Sequence, residues 1–313
     1  MTQLSLGPRT VTAPEFDGPA PTLRRPRRRH QVPWWFLIPA LVIYTIVVVV
    51  PDLQAMVYAF TNWDGLTSHF DFVGFANFVA AFRSPYALSS LVNTLLLTAA
   101  VTVIQLVVGL LLALALNSPV RSRNVLRAVF FAPVVLTSVA VGYIWKYMYA
   151  PTGALNQILD FTGLSALKHD WLGDPSVNLW AIAFLCVWQS AGFTMVIFLA
   201  GLQGVDSDLI EAAHLDGAGP WARFWYVVRP LLAPAILVNA VLCVSGGLKI
   251  FDQIYITTQG GPAHTTATLA TLTYTDGFVT GDYSFGVTLS VILTVLVSVV
   301  TIVQFRLMNR KER

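Results

Sequence analysis

Residues 89 to 116 read SSLVNTLLLTAAVTVIQLVVGLLLALAL, an apolar run without a single charged side chain. A helix crosses a bilayer with about 20 such residues, and within lipid a helix satisfies its own backbone hydrogen bonds. The pattern recurs at 34 to 58, 126 to 149, 178 to 202, 231 to 254 and 284 to 307, so the sequence predicts an all-α polytopic membrane protein of about six spans. Composition agrees. Only 11% of the residues are charged and 56% are hydrophobic, whereas soluble domains carry about a quarter charged residues.

The placement of Lys and Arg predicts orientation. With the N-terminus inside, inner segments hold Arg24, Arg25, Arg27, Arg28 and Arg29, then Arg121, Arg123 and Arg127, then Arg223 and Arg229, and finally Arg306, Arg310, Lys311 and Arg313. Outer segments hold Arg83 and Lys168, with Lys146 and Lys249 near the outer ends of their helices. Both termini are therefore expected in the cytoplasm. The five arginines read as a topology signal, not a nucleic-acid patch. Residues 1 to 32 lack an apolar segment ahead of those arginines, unlike a cleaved signal peptide, and are expected to be a disordered basic cytoplasmic tail before a transmembrane domain at 33–313. Cys186 and Cys243 lie inside apolar runs, where they serve packing rather than a disulfide or metal framework.

The longest inner loop, at about 203–230, gathers Glu211, His214, Asp216, Arg223 and Arg229 between two apolar runs. Asp206, Ser207 and Asp208 can cap a helix that carries Glu211 in an early turn. Ala212 and Ala213 keep its surface thin, Gly217, Gly219 and Pro220 break it, and a second helix is expected from near Trp221 to Pro230. Two uses fit this helix, bend and helix. Small residues with Glu211 and Asp216 suit docking to a basic partner, while Trp221, Phe224 and Trp225 suit an amphipathic surface helix seated in headgroups.

The spacing of Glu211, Ala212, Ala213, Gly217, Val227 and Pro230 resembles the signature loop of the permease subunits of binding-protein-dependent ABC importers. Asp216 and Ala218 fit its usual surroundings, and Arg229 departs from it where leucine is usual. WFLIPALVIYTIVVVVPDLQAMVYAFTNWDG at 35 to 65, FVGFANFV at 72 to 79 and FDQIYITTQGGPAHTTATLATLTYTDGF at 251 to 278 resemble the maltose-transporter-like, carbohydrate branch of that family. The resemblance implies a coupling helix in the loop, held in a cleft of a cytoplasmic ATPase. It also implies a second homologous permease, two ATPase subunits that bind ATP and Mg, an extracytoplasmic sugar-binding protein, and residence in a bacterial or archaeal cytoplasmic membrane.

No glycine-rich phosphate loop ending in Lys-Ser or Lys-Thr occurs, so this chain is expected to bind no cofactor and to draw its energy from another polypeptide. His30, His69, His169, His214 and His264 show no metal-ligand spacing. For a substrate pathway, the fourth span offers Trp188, Gln189, Ser190 and Phe193, with 186, 189, 190 and 193 on one helical face. These polar groups fit a ligand or a neighbouring helix equally; the family's sugar contacts come partly from this span, and Trp188 falls where one is expected. On the fifth span Ser245, Lys249 and Asp252 are expected to share a face, with Lys249 and Asp252 able to pair and Lys249 snorkelling to the outer interface. Gln105 and Asn239 are single intramembrane amides suited to interhelical bonds.

A secondary active transporter is the main rival. It needs a mid-helix carboxylate, and Asp52, near an end of its span, is the candidate the sequence offers. A membrane enzyme acting on lipid needs a clustered nucleophile and base, which is not visible. An uncoupled channel gives no reason for the 203–230 loop.

Overall fold

The computed structural model describes residues 34–67, 69–118 and 121–311. The expected disordered tail at 1–32 lies outside them. The chain divides into two compact units, Met1–Val49 and Val50–Arg313. In the first, a 3-10 turn at Trp34–Leu37 leads into α1 (Ile38–Tyr44) and a π turn at Thr45–Val49. None of the side chains of α1 or the π turn is buried by protein.

The second unit starts with α2 (Val50–Tyr58) and α3 (Ala76–Arg83). Ser84 then caps α4 (Pro85–Asn117), its side chain accepting from the Ala87 N–H. After α5 (Arg123–Val135), α6 (Ser138–Met148) and α7 (Ala154–Phe161) comes the central helix α8 (Asn178–Gln203). The short α9 (Ser207–Leu215) precedes α10 (Pro220–Arg223), a π turn at Phe224–Val228, α11 (Arg229–Leu231) and α12 (Ala233–Gly247). The chain closes with α13 (Asp252–Thr257), α14 (Leu269–Tyr274) and α15 (Tyr283–Lys311). Among the described residues the only β pairing is an isolated bridge between Thr61 and Phe72.

Four helical stretches are long and apolar enough to cross a membrane: Trp35–Tyr58, Pro85–Asn117, Asn178–Gln203 and Tyr283–Leu307. The two other expected spans are bent. α5 and α6 meet at 98°, and Pro220–Leu231 meets Ala233–Gly247 at 70°. Pro133 explains the first bend, because it weakens the last turn of α5. Thr137 then takes an extended conformation and starts α6 afresh, its side chain accepting from the Ala140 N–H.

Pro230 does not stop the second helix of the 203–230 segment, as the sequence suggested. The π turn at Phe224–Val228 widens the helix ahead of it, the Arg229 N–H reaches back to the Phe224 carbonyl, and Pro230 sits in the first turn of α11, where no intrahelical donor is required. The bend follows at Leu232. The fifth span is also shorter than expected. It ends at Gly247, and the backbone turns through 248–251 before α13 begins at Asp252. Ser245, Lys249 and Asp252 consequently share no helical face.

α8 is the axis of the fold. Its apolar side chains Ile182, Leu185, Met195 and Phe198 are almost wholly buried, packed with Leu97 and Val101 of α4 at one end and Leu232 at the other. Between helices in lipid, attraction comes from close packing rather than from water exclusion. Gly192 permits that closeness: a Cβ there would collide with the Phe130 carbonyl and the Phe131 backbone of α5.

Candidate functional site

A cavity of about 540 Å³ lies between α4, α8, the α5–α6 break and the α12–α13 break. Its floor is an amide and hydroxyl cluster. Gln105 Nε2 donates to Thr194 Oγ1 at 2.8 Å, and Asn239 Nδ2 to the Thr194 carbonyl at 3.4 Å. Asn239 is 1% exposed and its Oδ1 has no protein partner. An orphaned acceptor of this kind costs about 1–3 kcal/mol unless water or a solute donor meets it.

Higher in the cavity, Gln189 Nε2 donates to the Leu136 carbonyl at 3.2 Å and Gln189 Oε1 accepts from Gln253 Nε2 at 3.0 Å. Gln189 stands near the middle of α8, so the α12–α13 break lies at mid-span. Lys249 and Asp252 line the cavity at that break. The expected snorkelling of Lys249 to an interface is corrected by this placement, and no ion pair joins Lys249 to Asp252 among the described residues. Asp252, not Asp52, is the carboxylate at mid-span.

Of the side chains expected to line a pathway, Gln189, Ser190, Phe193, Lys249 and Asp252 converge on the cavity, together with Cys186. Trp188 and Ser245 lie outside its lining. Trp188 points to the other side of α8, where its ring meets that of Trp145 edge-on at 5.5 Å between centroids. Gln253 and Ser138 line the cavity unforeseen; their signal was the polar residue beside each break, visible only once the breaks are known.

The segment expected to dock a partner has the predicted capping chemistry. Asp206 caps α9, its carboxylate accepting from the Asp208 N–H at 3.0 Å. α9 carries Glu211, Ala212 and Ala213, and Asp216 follows as its C-cap. Gly217 has φ +84°, and the Ala218 N–H returns to the Ala213 carbonyl at 3.0 Å, a left-handed helix stop that favours glycine. None of the side chains of α9 is buried. Leu215 and Tyr226 are each 82% exposed and Trp221 is 74% exposed. Arg229, the departure from the loop pattern, lies over the Trp225 ring at 4.8 Å, a contact within the same segment.

At the opposite end of α8 the loop 258–268 is pinned by amides. Asn93 Nδ2 of α4 lies within hydrogen-bond distance of the carbonyls of His264, Thr265 and Ala267, and Asn178 Nδ2 of α8 donates to Thr265 Oγ1. Gln259, Ala263 and His264 hold positive φ in this loop, a conformation that ordinary side chains adopt only when their surroundings enforce it. Next to the loop, burial and the neighbouring Asp282 push the Asp276 carboxyl above its usual range, with His264 opposing.

Several apolar spans, two of them broken beside a polar cavity, and an exposed helical segment at one end fit a multi-pass membrane protein. The chain belongs to the family described as binding-protein-dependent transport system inner membrane component, whose model matches residues 105–313. It is 33% identical over 279 residues to the multiple sugar-binding transport system permease protein MsmF of Streptococcus mutans, covering 89% of this chain and 96% of that one. It is 31% identical over 279 residues to the probable starch degradation products transport system permease protein AmyD of Thermoanaerobacterium thermosulfurigenes, covering 89% and 94%. A chain of a bacterial ABC transporter involved in import of the acidic polysaccharide alginate shares the fold, with a TM-score of 0.78 at 22% identity over 88% of this chain and 94% of that one.

Proposed function

We propose that this chain forms half of the translocation pathway of an ATP-driven sugar importer. The observation that carries the reading is the mid-span cavity, where Ser190, Asn239 and Gln253 offer hydroxyl-binding groups beside Phe193 and Phe251. Amides beside aromatic faces suit a sugar held briefly, and the names of MsmF and AmyD support that class of solute.

In this reading residues 33–313 are the transmembrane domain, both termini are cytoplasmic, and the membrane is a bacterial or archaeal inner membrane. A second, homologous permease closes the other side of the cavity. Two ATPase subunits bind ATP and Mg, and closure of their dimer pushes on the 203–230 segment through Glu211, Ala212, Ala213, Asp216 and Gly217. The bend after Pro230 passes that push to α12, whose far end is the cavity break. An extracytoplasmic sugar-binding protein delivers solute at the opposite end. Two arrangements of the helices, biased by the ATPase, then open the cavity to each side in turn.

Copurification from native membranes tests the assignment. The wild type is expected to bring down an ATPase and a second permease, and the Glu211→Arg, Gly217→Trp variant to lose the ATPase while keeping the permease. A wild-type chain that comes down alone and fills vesicles with sugar without ATP would instead select an ion-coupled carrier.

A further inference from the structure

Gln189 occupies an unusual place between the two broken spans. In an unbroken helix the Leu136 carbonyl would accept from the Ala140 N–H, but Thr137 Oγ1 takes that donor at 3.3 Å. Gln189 Nε2 supplies the missing donor at 3.2 Å, while its Oε1 accepts from Gln253 in the first turn of α13. The side chain is 7% exposed, so both bonds are made largely out of contact with water, where a lost partner is costly to replace. No other side-chain hydrogen bond among the described residues reaches both breaks.

The helices beyond the breaks also hold each other. Ile256 of α13 fills the space left by Gly142 of α6, and Lys146 Nζ donates to the Ile256 carbonyl at 3.1 Å. This pair is bonded to α8 at two heights: by Tyr149 Oη donating to the Ala181 carbonyl at 2.9 Å near one end, and by Gln189 at the level of the cavity. Movement of either break relative to α8 must stretch a Gln189 bond.

We propose that Gln189 is a positioning residue that ties both broken spans to the straight helix between them and thereby sets the resting arrangement of the cavity. Its role is distinct from holding solute, and only the ATP readout below rests on the importer reading.

The test uses the importer assembled from this chain and its co-expressed partners in lipid nanodiscs, without solute. Gln189→Met keeps the volume and removes both bonds. Amide hydrogen exchange is expected to speed about tenfold at 136–141 and at 248–254 together, and resting ATP hydrolysis to rise by about the same factor, the population shift that the loss of two hydrogen bonds together worth about 1.4 kcal/mol brings. Gln253→Met, which removes a side-chain hydrogen bond to Gln189 and none to the third span, leaves Gln189 anchored on one side only and is expected to speed exchange at 136–141 as well as at 248–254; it decides the matter if Gln189→Met fails to assemble. Faster exchange confined to one break, or resting ATP hydrolysis unchanged in Gln189→Met, overturns the proposal. If the wild-type assembly hydrolyses no ATP, the importer reading fails, and the exchange data still judge Gln189.

Discussion

α4 and α8 are uninterrupted and closely packed, whereas the third and fifth spans are broken at cavity level, and the contrast follows from where each places its breaking residues. α4 and α8 keep proline out of their interiors, and Gln105 of α4 reaches Thr194 of α8. Interhelical bonds of this kind contribute about 0.6 kcal/mol on average in membranes, so the pair is held mainly by close packing along its length. At cavity level the broken spans carry Pro133, Thr137 and the turn after Gly247, and the carbonyls released there are met by side chains, Leu136 by the Gln189 amide and Ile250 by the Thr268 hydroxyl. An uninterrupted axis beside jointed walls suits the opening of the cavity to either side that is proposed above.

The contrast breaks most severely at the axis. Gly192→Leu is expected to destabilise the chain by about 4 kcal/mol or more, because its side chain would meet α5 backbone that cannot withdraw; the thermal midpoint of the detergent-solubilised protein reads the loss. Next in size is Asn93→Leu. It strips the 258–268 loop of the amide that three carbonyls share, and a cost of about 1–3 kcal/mol is expected, seen as faster hydrogen exchange confined to that loop. At the far end of the scale stands Gly246→Ala. A Cβ at this cavity-facing position meets nothing within 4 Å, so a change within about 0.5 kcal/mol is expected. Equal thermal shifts for Gly192→Leu and Gly246→Ala would dissolve the distinction between axis and wall.

Much of this architecture was legible in the sequence. Uncharged runs such as 89 to 116 marked the straight spans to within a few residues, because α4 at Pro85–Asn117 and α8 at Asn178–Gln203 obey the apolar rule without interruption. The cap at Asp206 and the stop at Gly217 were legible for a local reason: a helix end has its own chemistry whatever surrounds it. The face formed by 186, 189, 190 and 193 was legible because α8 runs straight through it.

The breaks were hidden, since hydropathy records depth in lipid and carries no direction. Pro133 and Thr137 sit inside an apolar run that reads as one span, and LKIF at 248–251 continues another. Every error on the fifth span followed from extending one helical period across that turn: the shared face of Ser245, Lys249 and Asp252, and the outward reach of Lys249. Trp188 lies outside the cavity lining for a different reason. The resemblance put it at a sugar contact, but it lies one position from Gln189, which turns it about 100° around the helix and towards Trp145.

The exposed flank formed by Leu215, Trp221 and Tyr226 has a consequence for the life of the molecule before it works. In the proposed orientation, a copy made in excess of the proposed ATPase would present these side chains bare to the cytosol, as exposed apolar surface that invites aggregation and capture by proteases. The surface that recognises the partner would then also ration the subunit, letting orphans perish and complete assemblies persist. The lifetime of the chain in cells that make it with and without that partner is the direct measure of such rationing.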